Sequence, residues 1–336
     1  MRITLVMASD EDGGLEKHVL ELADGLAETG HRVSVIAHPR YQHQLKQHIN
    51  FVAFDMSGSR YNPLTKYRLK KEILKTDPEI LHAHASKTAK LLQSMLQQFP
   101  CPSVVTVHGA KSNLKPYLAF DRIIAVSQRV ADSFARPDKT VVVYNGVKIT
   151  QSPQPYQPNR KFIAIGRLNE VKGFDRLLQA WQQIPHQLTI VGDGEQRIQL
   201  EQLVQQLQLA NRVTLLGYSD QIAQLLTEHE ALIVSSLREG GPYTLSEALL
   251  LHRPVIGTDV GMMREFVPEQ FLCPPDDVAA LCAVINNYLN TPEVEKLFLP
   301  AYQHAATELT FTAMIEHTLA VYQTVIETDV KNKDWS

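Results

Sequence analysis

The chain has 336 residues, 44% apolar and 21% charged, with a net charge of -3 and three cysteines. That composition excludes a disordered or low-complexity protein, and Cys101, Cys273 and Cys282 form no CxxC pair, so neither a disulfide framework nor a cysteine-rich zinc site is expected. No apolar run reaches the roughly 18 residues of a membrane span, and MRITLVMASDED meets acid before any small-residue cleavage site, which points to a cytoplasmic chain in a reducing compartment.

The charge is unevenly placed. Residues 1–150 carry 20 Lys+Arg against 14 Asp+Glu, and residues 151–336 carry 13 against 22. A basic half beside an acidic half suits either an anionic partner, such as a membrane surface or a phosphorylated acceptor, or a chance surface distribution. The basic half lacks a dense Arg/Lys stripe with interleaved aromatics, so nucleic acid is not expected as a partner.

In chain order, RITLVMA, HRVSVIA, EILHAH, SVVTVH, RIIAVS and TVVVYN read as strands of a first half. Between the first two, GLEKHVLELADGLAETG sets Leu15, Val19, Leu22 and Leu26 on one stripe, as a helix packed on a sheet requires. LTKYRLKKEILK and KTAKLLQSMLQQ read as further helices. The first is dense in cations, with Arg60, Lys66, Arg68, Lys70, Lys71 and Lys75 in or beside it. It is either a solvated helix whose apolar residues largely turn inward, or a patch for an anionic leaflet. Pro153, Pro155 and Pro158 place a linker over 151–160. The pattern then restarts with KFIAIGR, QLTIVGD, RVTLLG, ALIVSS, PVIGTD and FLCP, again separated by helical stretches, and two helices close the chain, the last over 311–328.

Strands alternating with helices predict an α/β protein of two doubly wound, Rossmann-like domains, 1–150 and 160–310, facing a cleft across the carboxyl ends of their strands. A terminal helix, 311–330, is expected to pack back on the first domain.

Two segments carry the chemistry. In EGGPYTLSEALL, Glu239 and Glu247 bracket Gly240, Gly241, Pro242, Tyr243, Thr244 and Leu245, where a turn feeds a helix with Pro242 in its first turn. Free N–H groups there suit an anion, and the two carboxylates suit sugar hydroxyls. The plain alternative is a capped amphipathic helix. In GRLNEVKG, Arg167 and Lys172 follow the first strand of the second half on a glycine-bounded loop, a pairing that suits a diphosphate or is simply a solvated basic loop.

With GLAETGHRVSVI, EILHAHAS, VTVHG, IIAVSQRVADSF, VYNGV, VGDGE and PVIGTDVGMMRE in the same order, these residues resemble the retaining glycosyltransferases of the GT-B fold, particularly the group-4 enzymes that include many bacterial cell-surface sugar transferases. The resemblance implies transfer of a sugar from a nucleoside diphosphate, most readily a UDP-sugar, to a glycan or lipid-linked acceptor in lipopolysaccharide or other surface-glycan synthesis. It implies that Glu247 holds the ribose, Glu239 and His108 meet the transferred sugar, Arg167 and Lys172 clamp the diphosphate, and Gly217 and Tyr218 lie near the base. It further implies that Gly14 makes room for the donor phosphate; His82 and His84, at another strand end of the same half, read as lining the acceptor side. No metal or other cofactor is expected. Gly241, and Met262 with Met263 after Gly261, depart from the family pattern and leave donor choice open.

Asp10-Glu11-Asp12 has the DxD form of metal-binding sites in another transferase fold, but before a glycine pair and a helix it reads as acids opposing a helix dipole. HExxH, GxxxxGK[ST] and an intact GxGxxG are absent, and Ser127 reads as a helix cap rather than a nucleophile. The competing readings are a UDP-sugar epimerase or sugar-phosphate synthase on the same fold, and a non-catalytic nucleotide-sugar-binding protein.

Overall fold

The computed structural model describes the chain except residues 12, 60–61 and 334–336, and except the side chains of 330–333. Asp12 and Arg60, singled out above, lie outside the described residues. Among the described residues the chain forms two units, 1–145 with 311–336, and 146–310.

The first unit is a parallel sheet of β1 (Arg2–Met7), β2 (Arg32–Ala37), β3 (Asn50–Ala53), β4 (Ile80–His84), β5 (Ser103–Val107), β6 (Arg122–Ala125) and β7 (Thr140–Val142), in the order β3-β2-β1-β4-β5-β6-β7. β3 was not among the expected strands: NFVA is short and partly exposed, with no alternation to mark it. β1, β4 and β5 are buried nearly throughout, as strands covered by helices on both faces must be. Helix Gly14–Glu28 buries Val19, Leu22 and Leu26 against them, as the stripe predicts. Helix Phe311–Lys333 joins the same core through Met314, Ile315, Tyr322 and Val325, running five residues beyond its expected end.

KTAKLLQSMLQQ is not one helix. Helix Ala85–Leu92 stops, and a separate 3-10 turn covers Leu96–Gln98. Helix Pro63–Lys75, capped by Asn62, buries Leu69 and Ile73, but Leu64, Tyr67 and Leu74 are exposed at 52%, 64% and 41%. The expectation that much of its apolar set packs inward is met by Leu69 and Ile73 alone. Ser127 caps helix Gln128–Asp132, its Oγ accepting from Val130 N at 3.3 Å.

The second unit is a parallel sheet of β8 (Lys161–Ile165), β9 (Gln187–Val191), β10 (Val213–Gly217), β11 (Ala231–Val234), β12 (Val255–Thr258) and β13 (Leu272–Cys273), in the order β10-β9-β8-β11-β12-β13. Its core includes Phe162, whose ring meets Trp181 at 5.6 Å and Tyr288 at 6.0 Å. Residues 151–160 have no regular secondary structure, yet they are tied to this unit. Tyr156 Oη donates to buried Glu230 at 3.0 Å, and Arg253 Nη1 donates to Gln154 O at 3.1 Å.

Both sheets reverse their winding once, between β1 and β4 and between β8 and β11. At such a reversal the flanking crossovers leave on opposite faces, opening a crevice at the strands' carboxyl ends.

Candidate active site

The residues singled out in the second unit gather at its reversal. β8 runs out into Gly166 and Arg167, a 3-10 turn covers Glu170–Lys172, and Gly173 leads into helix Phe174–Trp181. β11 runs out into Ser235, Ser236 and Glu239, and helix Tyr243–Leu250 follows. Pro242 is the cap residue of that helix, with ψ 122, rather than part of its first turn.

Four contacts stitch the two loops. Leu237 N donates to Val171 O at 2.8 Å, and Ser235 Oγ donates to Lys172 O at 2.8 Å. Lys172 Nζ donates to Glu239 Oε1 at 2.5 Å, and Ser236 Oγ donates to the same oxygen at 2.8 Å. Lys172 and Glu239 also line a small cavity with Ser235, Ser236, Pro242 and Thr244.

Two glycines make this approach possible. Gly173 has φ +61, and a Cβ on it would stand 2.3 Å from Ser235 O. Gly261 has φ +55, and its Cβ would stand 2.4 Å from Gly240 O and 3.2 Å from Glu239 Cβ. Any side chain at either position would pay the left-handed strain and also collide with backbone.

Arg167 is exposed, and Glu247, Gly241, Tyr243 and Thr244 are half-buried around the head of the helix, whose Leu245 is buried. Leu245 N donates to Pro242 O at 3.2 Å inside the first turn, and the combination of cation, carboxylates and helix N-terminus suits a phosphorylated, hydroxyl-bearing ligand. Gly217 ends β10 at φ +88, its carbonyl accepting from Gly192 N at 2.8 Å, and Tyr218 beside it is 81% exposed.

In the first unit, Gly14 is the exposed first residue of its helix, behind the extended cap Gly13. Asp10 and Glu11 are exposed, and their carbonyls accept from Arg40 and from Tyr41 Oη. His84 ends β4 and is fully buried, against its expected place on the acceptor side, and His108 follows β5 and is half-buried. His82 is fully buried, and both ring nitrogens are engaged, Nδ1 with Tyr322 Oη at 2.6 Å and Nε2 with Thr106 Oγ1 at 2.8 Å. It therefore has no nitrogen left for an acceptor and instead pins the terminal helix to the sheet.

Sequence reasoning passed over His18. It sits on the buried side of helix Gly14–Glu28, its ring centroid 4.8 Å from that of His108 and 5.5 Å from that of His84. A polar residue beside the Leu15–Val19–Leu22 stripe was the available signal. Burial pushes His18 down to about 4, against a raising hydrogen bond with Asn145. Burial, reinforced by the neighbouring rings, holds His84 and His108 well below the usual imidazole range. Near neutrality these rings are neutral donors and acceptors for hydroxyls or ligands for a cation, not anion receptors.

The fold and these two switch-point sites define a protein of two Rossmann-like domains with GT-B glycosyltransferases as structural neighbours. Residues 12–151 match the family model described as Glycosyltransferase Family 4, and residues 148–299 match that described as Glycosyl transferases group 1. A glycosyltransferase family 4-like domain is thus followed by a glycosyl transferases group 1 domain.

Among its relatives, the phosphatidyl-myo-inositol mannosyltransferase of Mycolicibacterium smegmatis is 25% identical over 98% of this chain and 96% of that one. The phosphatidylinositol N-acetylglucosaminyltransferase gpi3 subunit of Schizosaccharomyces pombe is 26% identical over 83% of this chain and 71% of that one. An uncharacterized glycosyltransferase of Methanocaldococcus jannaschii is 39% identical over 118 residues, which cover 34% of this chain and 28% of that one. Of solved structures, Anabaena HepE in complex with UDP aligns with TM-score 0.83 at 22% identity, covering 96% of this chain and 100% of that one. Sucrose-phosphate synthase of Thermosynechococcus elongatus aligns with TM-score 0.82 at 20% identity, covering 97% and 99%. These two likenesses concern the fold.

Proposed function

We propose that the protein is a retaining glycosyltransferase that moves a sugar from a nucleoside diphosphate, a UDP-sugar, to a hydroxyl of a lipid-linked or glycan acceptor in cell-surface glycan synthesis. The observation that carries this reading is the Lys172–Glu239 pair at 2.5 Å, set beside the head of helix Tyr243–Leu250 at the switch point of the second sheet. In this reading Arg167, Lys172 and the helix N–H groups stabilise charge as the diphosphate departs, and Glu247 accepts from ribose hydroxyls. Glu239 has two roles: it fixes the Lys172 ammonium and presents its remaining oxygen to a sugar hydroxyl. The departing diphosphate takes the acceptor proton on the face it leaves, so the chain supplies orientation and charge and needs neither a nucleophile nor a metal.

The second unit is assigned the donor and the first the acceptor, with His108 as its group for hydroxyls and His84, fully buried, packed behind it. A lipid-linked acceptor is favoured by helix Pro63–Lys75. Leu64, Tyr67, Arg68, Lys71, Leu74 and Lys75 are all exposed and recur at helical spacing on one outward stripe. Apolar side chains interleaved with cations suit the interface of an anionic leaflet, where each basic residue contributes about 1 kcal/mol. The names of the mannosyltransferase and N-acetylglucosaminyltransferase relatives, both acting on phosphatidylinositol, support the same class of acceptor. No helix among the described residues is long and apolar enough to cross a membrane.

The test is a panel of nucleotide-sugars screened for thermal stabilisation and then for transfer. A ligand at 100 times its dissociation constant adds about 2.7 kcal/mol. Stabilisation by UDP-sugars with transfer to a lipid or glycan hydroxyl is expected. Stabilisation without transfer to any acceptor would favour a binding protein, and none with any nucleotide would end the reading.

A further inference from the structure

The first sheet brings three imidazoles to the carboxyl edge of adjacent strands. His18 lies near the start of the helix after β1, His84 ends β4 and His108 follows β5, and one ring nitrogen from each stands within 4.8 Å of the other two. His18 Nδ1 is buried without a hydrogen-bond partner. A buried polar atom left in that state keeps its desolvation cost, which a ligand would recover. His84 Nδ1 and His108 Nε2 are 3.5 Å apart, long for a hydrogen bond. That spacing is close to the roughly 3.3 Å between two nitrogens that share a tetrahedral ion at bond lengths of about 2.0–2.1 Å.

The cluster is also braced from behind. His82 packs on His84 with ring centroids 4.1 Å apart and is itself fixed by Tyr322 and Thr106. Burial disfavours the imidazolium form of all three rings, leaving lone pairs available.

We propose that His18, His84 and His108 form a site for a divalent transition metal of the kind imidazole prefers, Zn2+ foremost, with three protein ligands and a fourth position for water or another ligand. The 4.8 Å outer spacing closes by side-chain rotation of His18 and His108 around the braced His84. The metal is not assigned to sugar transfer, whose charge stabilisation lies with Arg167 and Lys172. Occupancy instead engages His108 and withdraws it from any hydroxyl, so Zn2+ is expected to slow turnover. The site stands on the geometry of the three rings and not on the donor reading.

The test is titration of the untagged, chelator-stripped chain with Co2+, followed by displacement with Zn2+, with no sugar or nucleotide present. One Co2+ per chain with visible ligand-field absorption, bleached by one equivalent of Zn2+, is expected. Affinity should fall about 100-fold in His18→Ala and in His108→Gln and stay unchanged in His43→Ala, an exposed histidine elsewhere on the unit. Absence of the absorption in the folded wild-type chain, or its persistence in His108→Gln, overturns the site. If His18→Ala fails to fold, His108→Gln alone decides, because His108 is half-buried where His18 and His84 are buried.

Discussion

Lys172 Nζ lies 2.5 Å from Glu239 Oε1, and this ion pair joins two loops 67 positions apart in the chain. Neither side chain is more than a quarter exposed, the lysine at 23% and the carboxylate at 15%. Each therefore depends on the other for its charge environment, and Ser236 shares the carboxylate oxygen.

Lys172→Ala and Glu239→Ala should each lower donor binding or kcat/KM about 10–100-fold, since a charge-assisted contact contributes about 1.5–3 kcal/mol. The double variant should lose less than the product of the two, because the second substitution removes a partner already orphaned. Steady-state kinetics of the four proteins test this. Additive effects would mean that the pair is not a unit.

Gly261→Ala should destabilise the second unit by about 1–3 kcal/mol, since the residue has φ +55 and its Cβ would meet Gly240 O. Gly30→Ala, at φ +85 with nothing near its Cβ, isolates the backbone strain alone and should cost less. Thermal melts of the two variants measure the difference, and the Gly261 variant should also bind donor more weakly because the Glu239 loop must shift.

Burial lowers His229 from its usual 6.5, against smaller raising effects of the Leu225 carbonyl and Glu228 and a further lowering by Lys161. Burial holds the ring neutral, and contacts to Leu225 O at 2.6 Å and Thr189 Oγ1 at 2.9 Å fix its orientation. The unfolded chain then takes up the proton first, so this group's contribution is complete above 6.5 and is lost as pH falls below it toward the folded value. Urea midpoints at about pH 8 and about pH 5 should therefore fall more steeply in the wild-type chain than in His229→Gln.

Helix Pro63–Lys75 should carry the chain onto vesicles rich in anionic lipid at low salt and release it at high salt. Arg68→Glu with Lys71→Glu should abolish sedimentation, and Tyr67→Ser should weaken it by removing an apolar contact that is 64% exposed. Sedimentation unchanged in the charge-reversed variant would leave this helix as scaffold and favour a soluble acceptor.

Turnover should be complete in EDTA, because the proposed charge stabilisation uses Arg167, Lys172 and backbone N–H groups. Loss of activity restored by Mg2+ or Mn2+ would return attention to Asp10 and Glu11.

The alternation of elements is legible in the chain's own periodicity. Stripes such as Val19, Leu22 and Leu26, and strands such as SVVTV, are local consequences of helix and strand periodicity, and they require only neighbours in the chain. The sequence also displayed Arg167, Lys172, Glu239 and Glu247 as chemistry at strand ends. What it did not contain is which strands lie side by side. Only the tertiary structure placed β8 against β11, turning a presumed diphosphate lysine into the partner of a presumed sugar carboxylate. Only it placed β1, β4 and β5 together, consuming both nitrogens of His82 in the core while bringing His18 to His84 and His108. The physical reason is that strand order is fixed by the packing of whole helices on whole sheets, whereas periodicity reports only which face of each element is apolar. Helix Pro63–Lys75 shows the same limit: its spacing says that it is a helix, and only burial says that Leu64, Tyr67 and Leu74 face outward with the cations.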